Sequence, residues 1–193
     1  NPFKKIGAHI TESLRAHLGL DKAQARERAI ELLRKVRIPE PARRIDQYPH
    51  ELSGGMRQRV VIAMALACDP KLTIADEPTT ALDVTVQKQI LELLDSLRTE
   101  MGMAGILVSH DLGVVAGQTD RVAVMYAGRI VETAPTRQLF ASPRHPYTEA
   151  LLAAVPRLEQ EPHTRLESIE GGLPDMTKPP TGCSFASRCK YAQ

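Results

Sequence analysis

Cysteine is scarce in this 193-residue sequence, with Cys68, Cys183 and Cys189 as the whole complement. So few thiols argue against a disulfide scaffold and for a reducing compartment. Long apolar runs are also missing. Val60 to Cys68 is one of the longest, far short of the roughly 20 residues needed to cross a bilayer. The opening "NPFKKIGAHI" has no signal-peptide apolar core, so the expectation is a soluble chain with nothing directing it to secretion. A large excess of charge is absent too: 25 basic and 23 acidic residues leave +2, which excludes a strongly basic nucleic-acid binder. No internal repeat occurs.

What is present suits a globular protein. Hydrophobic residues make up 42% of the chain, enough for a core at a one-domain length. Residues 1–50 carry 11 Lys or Arg against 6 Asp or Glu. This local excess reads either as a solvated helix face or as a surface that contacts a membrane protein or an anionic layer.

Helix signals punctuate the chain. Asp21 followed by Gln24 forms a capping-box pattern, and Ala29, Leu32, Leu33 and Val36 follow at helical spacing until Pro39. "PARRIDQYPHELSGG" is a Pro-punctuated loop, after which Ser53 can cap a helix running through Val60, Ala63, Met64 and Ala67 to Asp69-Pro70. The nearly all-apolar "KLTIAD" predicts a parallel strand buried on both faces. Asp83 can cap a third helix with Val86, Ile90, Leu93, Leu94 and Leu97 inward, and "GILVS" gives a second buried strand. Strand, helix, strand in that order predicts a right-handed parallel crossover.

Beyond it, "HDLGVVAGQTD" fits a short helix, and "RVAVMYAGRIVET" fits a hairpin turning at Ala127-Gly128. "PTRQLFAS" and "HPYTEALLAAV" fit two short helices, the second with Pro146 in its first turn. From Pro156 a Pro- and Gly-rich composition marks an extended tail or small appendix.

The polar residues that end the two strands carry the chemistry. In open α/β sheets the ligand crevice lies beyond the carboxyl ends of the strands, which is where Asp76-Glu77 and Ser109-His110 fall. An Asp there can hold Mg²⁺, and the adjacent Glu can orient or deprotonate a water; His110 could contact a terminal phosphate. Ser53-Gly54-Gly55 opens a helix, where free N–H groups and the positive end of the dipole make an anion site that two glycines let a phosphate approach. Taken singly, each of these also reads as an ordinary capping turn. Their occurrence together, in this order, favours phosphate chemistry.

As a set, "LSGGMRQR", "LTIADEP", "TALD" and "VSHD" resemble the signature motif, Walker B strand, D-loop and switch-histidine loop of the ATP-binding cassette (ABC) ATPases. The resemblance implies an α/β fold with part of a P-loop NTPase parallel sheet, a helical subdomain and a C-terminal extension, the N-terminal half being incomplete. It implies ATP hydrolysis in a head-to-tail dimer with an identical or homologous subunit. Asp76 would position Mg²⁺ and its waters, Glu77 would be the general base, and His110 would sense the γ-phosphate. Asp83 would help couple the two sites, while Ser53, Gly54, Gly55 and Gln58 would serve the ATP held by the partner chain. Met56 stands where the commonest signature has Gln, and no G-x-x-x-x-G-K-[ST] occurs in the sequence. The expectation is therefore a piece of the subunit that begins just after the Q-loop.

"SPRHPYTEALLAAVP" with "PPTGCSFASRC" resembles the C-terminal extension of the dipeptide, oligopeptide and nickel importers of this family. That places 1–68 as the helical subdomain, 69–135 as the second half of the ATPase core, and 136–193 as the extension. It further implies permease subunits, indirectly a solute-binding protein, a peripheral place on the cytoplasmic face of the inner membrane, and no nucleic acid. Members of this branch can carry a [4Fe-4S] cluster, for which Cys183 and Cys189 are the candidate ligands; two ordinary thiols are the competing reading. Two rivals to the importer subunit remain: a soluble ABC ATPase without a permease, and a truncated chain that only lends its signature to a partner.

Overall fold

A computed structural model describes residues 1–155, 169–172, 174, 175, 177 and 182–192. The chain divides into two compact units, Asn1–Val108 and Ser109–Gln193.

The first unit is built mainly of helices: α1 (Ile6–Leu18), α2 (Lys22–Lys35), α3 (Pro41–Arg44), α4 (Gly54–Ala65) and α5 (Val84–Met101), with a 3-10 turn at Pro49–Glu51. Strands β1 (Leu72–Asp76) and β2 (Ala104–Val108) flank α5 and pair in parallel, Leu72 opposite Ala104 and Asp76 opposite Val108. The parallel pairing meets the expectation from sequence. So do the starts of the helices. Asp21 accepts from Ala23 and Gln24 N–H while Gln24 returns a bond to the Asp21 N–H, a complete capping box. Ser53 and Asp83 cap α4 and α5 more simply, their side chains accepting from the Met56 and Val86 N–H groups.

Burial of one helical stripe after another makes the core. Ile6, Ile10 and Leu14 of α1 meet Ala25, Ala29, Leu32 and Leu33 of α2, together with Val60, Ile62 and Ala63 of α4 and Ile90, Leu93 and Leu97 of α5. Arg59 fastens α4 to the end of α2 by donating to the Val36 carbonyl at 3.0 Å.

Three expectations are corrected. β1 is not buried on both faces: Leu72 and Ile74 are 49% and 64% exposed, and Ile106 and Val108 beside them on β2 are 49% and 46% exposed. Two-sided burial requires a layer on each face, whereas in this unit Thr73, Ala75 and Leu107 are only half-buried and the other face is open. The α4 helix stops at Ala65, with Leu66 as its C-cap, rather than running on to Asp69. Asp69 has φ 48°, a left-handed backbone that cannot continue a helix. Cys68 therefore lies in the turn after α4, half-buried, with its Sγ 3.9 Å from the Ser13 carbonyl.

The second unit holds α6 (Leu112–Gln118), the antiparallel hairpin β3 (Arg121–Tyr126) and β4 (Arg129–Pro135), α7 (Thr136–Ala141), α8 (Pro146–Ala153) and a 3-10 turn at Ala186–Arg188. The hairpin turns where expected, on Ala127 and Gly128 with φ 49° and 73°, the pair of positive values a tight two-residue hairpin needs. Phe185 is buried against Tyr126 and Tyr147, with ring centroids 5.1 and 5.3 Å away. Arg188 donates to the Ile169 and Glu170 carbonyls at 2.9 and 2.8 Å. Together these contacts fix the extension to the hairpin and α8. Most of the Pro-rich stretch from Pro156 lies outside the described residues.

Candidate functional site

One candidate feature is the start of α4. Ser53 is extended, with φ −64° and ψ 162°; its Oγ accepts from the Met56 N–H at 3.3 Å and its carbonyl accepts from the Arg57 N–H at 2.9 Å. This arrangement leaves the N–H groups of Gly54 and Gly55 at the positive end of the helix for an anion. Gln58 is half-buried one turn on, and Met56 packs against the core. The two glycines also have a packing cause that the sequence did not reveal. A Cβ added at Gly55 would lie 2.7 Å from Val86 Cγ1, and one at Gly54 would lie 3.3 Å from Leu82 Cδ2.

Another is the turn after β1. Asp76 ends the strand, exposed, opposite Val108. Glu77 follows with φ 44°, in the left-handed region that a non-glycine residue seldom enters. Its N–H donates to the Val108 carbonyl at 2.9 Å, and its Oε2 accepts from the Thr80 hydroxyl at 2.9 Å. The backbone reversal at Glu77 lets two successive carboxylates leave one strand end in different directions. Thr80 was not singled out by sequence, although the doubled threonine of "DEPTTALD" was the available signal. Asp83 closes the turn, its Oδ1 accepting from the Val86 N–H at 2.9 Å.

His110 is the second residue of the second unit, two residues after β2 ends. It is exposed and lies inside a turn in which the Asp111 N–H donates to Ser109 Oγ at 3.0 Å and Asp111 caps α6. Cys183 is exposed and Cys189 half-buried, the latter with its Sγ 3.4 Å from the Tyr191 N–H. Among the described residues no group of three or more His, Cys, Asp or Glu is arranged to hold a metal ion. No helix of the described residues is long and apolar enough to cross a membrane.

A capped helix opening on two glycines, and an Asp-Glu pair at the carboxyl end of a parallel strand, are features expected of a protein that takes a phosphate-bearing ligand. Comparison with known proteins gives that class its family. Residues 3–80 match the ABC transporter family, and residues 131–193 match the oligopeptide/dipeptide transporter C-terminal region. Two solved structures share the fold. One is the dimeric bacterial ABC transporter cassette MJ0796, with a TM-score of 0.61 and 32% identity over 71% of this chain and 59% of that one. The other is cbiO1 of Clostridium perfringens, part of the ABC transporter complex cbiONQ, with a TM-score of 0.62 and 30% identity over 72% of this chain and 53% of that one. The chain belongs to the ABC transporter family.

Its second unit places it more narrowly, among members with the oligopeptide/dipeptide transporter C-terminal region. The oligopeptide transport ATP-binding protein OppD of Bacillus subtilis is 57% identical over 192 residues, all of this chain and 54% of that protein. A Brucella melitensis protein named for peptide import and ATP binding is 58% identical over 193 residues, all of this chain and 58% of that protein. The chain thus spans somewhat over half the length of these relatives.

Proposed function

We propose that this chain is part of the ATP-hydrolysing subunit that energises an importer of dipeptides or oligopeptides. The observation that carries the reading is the turn after β1, where Asp76 and Glu77 leave the carboxyl end of a parallel strand and Glu77 is held by Thr80. This turn shares a unit with the Ser53-capped glycine pair.

Exposed oxygen ligands at a strand end suit Mg²⁺, which takes one or two carboxylates and completes its shell with water and phosphate; Asp76 is the residue that would hold it. When bound, Mg²⁺ neutralises the charge on the phosphates of ATP. Glu77 acts as the general base on the attacking water, its carboxylate oriented by the Thr80 hydroxyl. His110 contacts the γ-phosphate, and Asp83 links the two sites of the dimer. Ser53, with the Gly54 and Gly55 N–H groups and Gln58, faces the ATP of a second nucleotide-binding subunit, identical or homologous, as an anion hole.

The parts played by the chain follow as 1–68 for the helical subdomain, 69–135 for the second half of the ATPase core and 136–193 for the extension. Permease subunits are its membrane partners and a solute-binding protein an indirect one, with the subunit peripheral on the cytoplasmic face. The match of 131–193 to a peptide-transporter region favours this over a soluble ATPase of the family without a permease. The [4Fe-4S] cluster does not fit the residues present, because Cys183 and Cys189 supply two thiolates where such a cluster takes four.

The test uses the complete polypeptide that contains this chain. Its wild type should hydrolyse ATP, and Glu77→Gln should abolish turnover while ATP binding persists. Wild-type turnover in Glu77→Gln would remove Glu77 as the base. Absence of a P-loop motif from these 193 residues predicts that the isolated chain does not bind ATP. Tight ATP binding by it would contradict the assignment of the phosphate cradle to another segment.

A further inference from the structure

We infer that Leu82 and Val86 are positioning residues that set the signature helix of their own chain by steric contact, so that the turn bearing Glu77 and the glycine pair Gly54-Gly55 move as one body. This rests on the ATPase reading above and goes beyond the role of Asp83 in it.

The contacts form an unbroken path within one unit. The Thr80 hydroxyl donates to Glu77 Oε2 at 2.9 Å, and the Thr80 N–H donates to the Glu77 carbonyl at 3.2 Å. The Leu82 N–H donates to the Thr79 carbonyl at 3.2 Å, which closes the turn, and the Asp83 side chain fixes the first turn of α5 through the Val86 N–H at 2.9 Å. Leu82 and Val86 then lie over the two glycines so closely that a methyl group at Gly55 would sit 2.7 Å from Val86 Cγ1. Real Cβ atoms do not tolerate such a distance, so one of the two elements would have to shift.

Both side chains are half-buried and pack against the main core, as does Met56 in the first turn of α4. A displacement of the Glu77 turn is therefore passed to the two N–H groups that face the partner's ATP. In a head-to-tail dimer Glu77 serves one ATP and Gly54-Gly55 the other. The contact between Gly55 and Val86 thus joins the two sites through a single protomer, and packed contacts of this kind shift between discrete arrangements rather than deforming smoothly.

A size-exchange cycle in the complete ATPase tests this. Gly55→Ala should lower kcat/KM for ATP by about tenfold or more, the order expected from displacing a phosphate-binding group by a fraction of an ångström. Val86→Ala, which removes the clashing methyl, should restore most of that loss in the double variant. If the double variant is as slow as Gly55→Ala alone although its melting temperature has recovered, Gly55 acts only by letting the phosphate approach, and the proposal fails.

Val86→Ala alone, measured in the Glu77→Gln background where hydrolysis is stopped, should weaken ATP-driven dimer formation severalfold, with an unchanged circular-dichroism spectrum. Val86→Thr, of the same shape, should dimerise like wild type. Should Gly55→Ala not fold, Leu82→Ala and Val86→Ala decide the matter, and wild-type dimer formation in both overturns the proposal. Failure of the underlying ATPase reading looks different, since the wild-type polypeptide would then show neither hydrolysis nor ATP-driven dimers.

Discussion

Two glycines make opposite predictions from the same chemistry. Gly7 lies in the first turn of α1 with its N–H donating to the Ile45 carbonyl at 2.9 Å, and a Cβ there would meet Ile45 Cγ1 at 2.4 Å and the Ile45 oxygen at 2.8 Å. Gly7→Ala must push α1 away from the loop after α3, and we expect a loss of about 1–3 kcal/mol of stability, as for overpacked sites generally. Gly117, in α6, has nothing within 4 Å of such a Cβ. There Gly117→Ala should gain about 0.5–1 kcal/mol by restricting the unfolded chain and raising helix propensity. Denaturant melts of the two variants check both, and a neutral Gly7→Ala would show that α1 is not docked as described. The same residue-level reasoning explains what sequence could not reveal at the site. The spacing of Ser53, Gly54 and Gly55 advertises an anion site, whereas the need for glycine at position 55 arises from Val86, thirty-one positions along the chain. Thr80 is visible only once the reversal at Glu77 brings its hydroxyl to the carboxylate.

At the level of elements, what was legible is what local chemistry decides. Asp21, Ser53 and Asp83 cap helices because a short acceptor side chain meets N–H groups two or three residues on, and Ala127-Gly128 turns because a tight hairpin wants positive φ. Helix α1 escaped notice: its N-cap, Lys5, makes no side-chain cap bond, so no start signal marks it. The join between β4 and α8 carries a pH prediction. Burial pushes the Glu132 carboxyl up, but hydrogen bonds from the N–H groups of Arg144 and His145 more than offset this and hold it below the usual glutamate value. Among the described residues Thr148 Oγ1 meets no partner at hydrogen-bonding geometry, so the two N–H groups, at 2.9 and 3.0 Å, are the contacts that matter. A depressed folded value means the stabilisation is present above the unfolded pKa and is lost as pH falls through the folded one. Acid titration of stability should therefore be flatter in Glu132→Gln than in wild type over that range. An identical acid limb in the two proteins would sink the assignment.

At the scale of the whole molecule, the open face of the first unit is the dominant liability. Leu72, Ile74, Ile106 and Val108 form one apolar patch on a two-stranded sheet, and uncovered strand edges and apolar faces invite pairing with other chains. The isolated 193-residue chain should self-associate at micromolar concentration, and Ile74→Lys with Ile106→Glu should reduce light scattering without altering the helical signal. A wild-type preparation that stays monomeric would count against this. That apolar surface would be left uncovered was legible in the sequence, which lacks the P-loop part of such a sheet; which side chains carry it was not, since an all-apolar strand states only what it requires on both faces. The same pairing also has a consequence in time. β1 leaves the ribosome about thirty residues ahead of its partner β2, and at about 5–20 residues per second it waits about 2–6 s for it. Throughout that interval Leu72 and Ile74 are without their neighbours on β2, so slow codons between α5 and β2 would lengthen the period in which the nascent chain is open to chaperones or to its own copies on the same message.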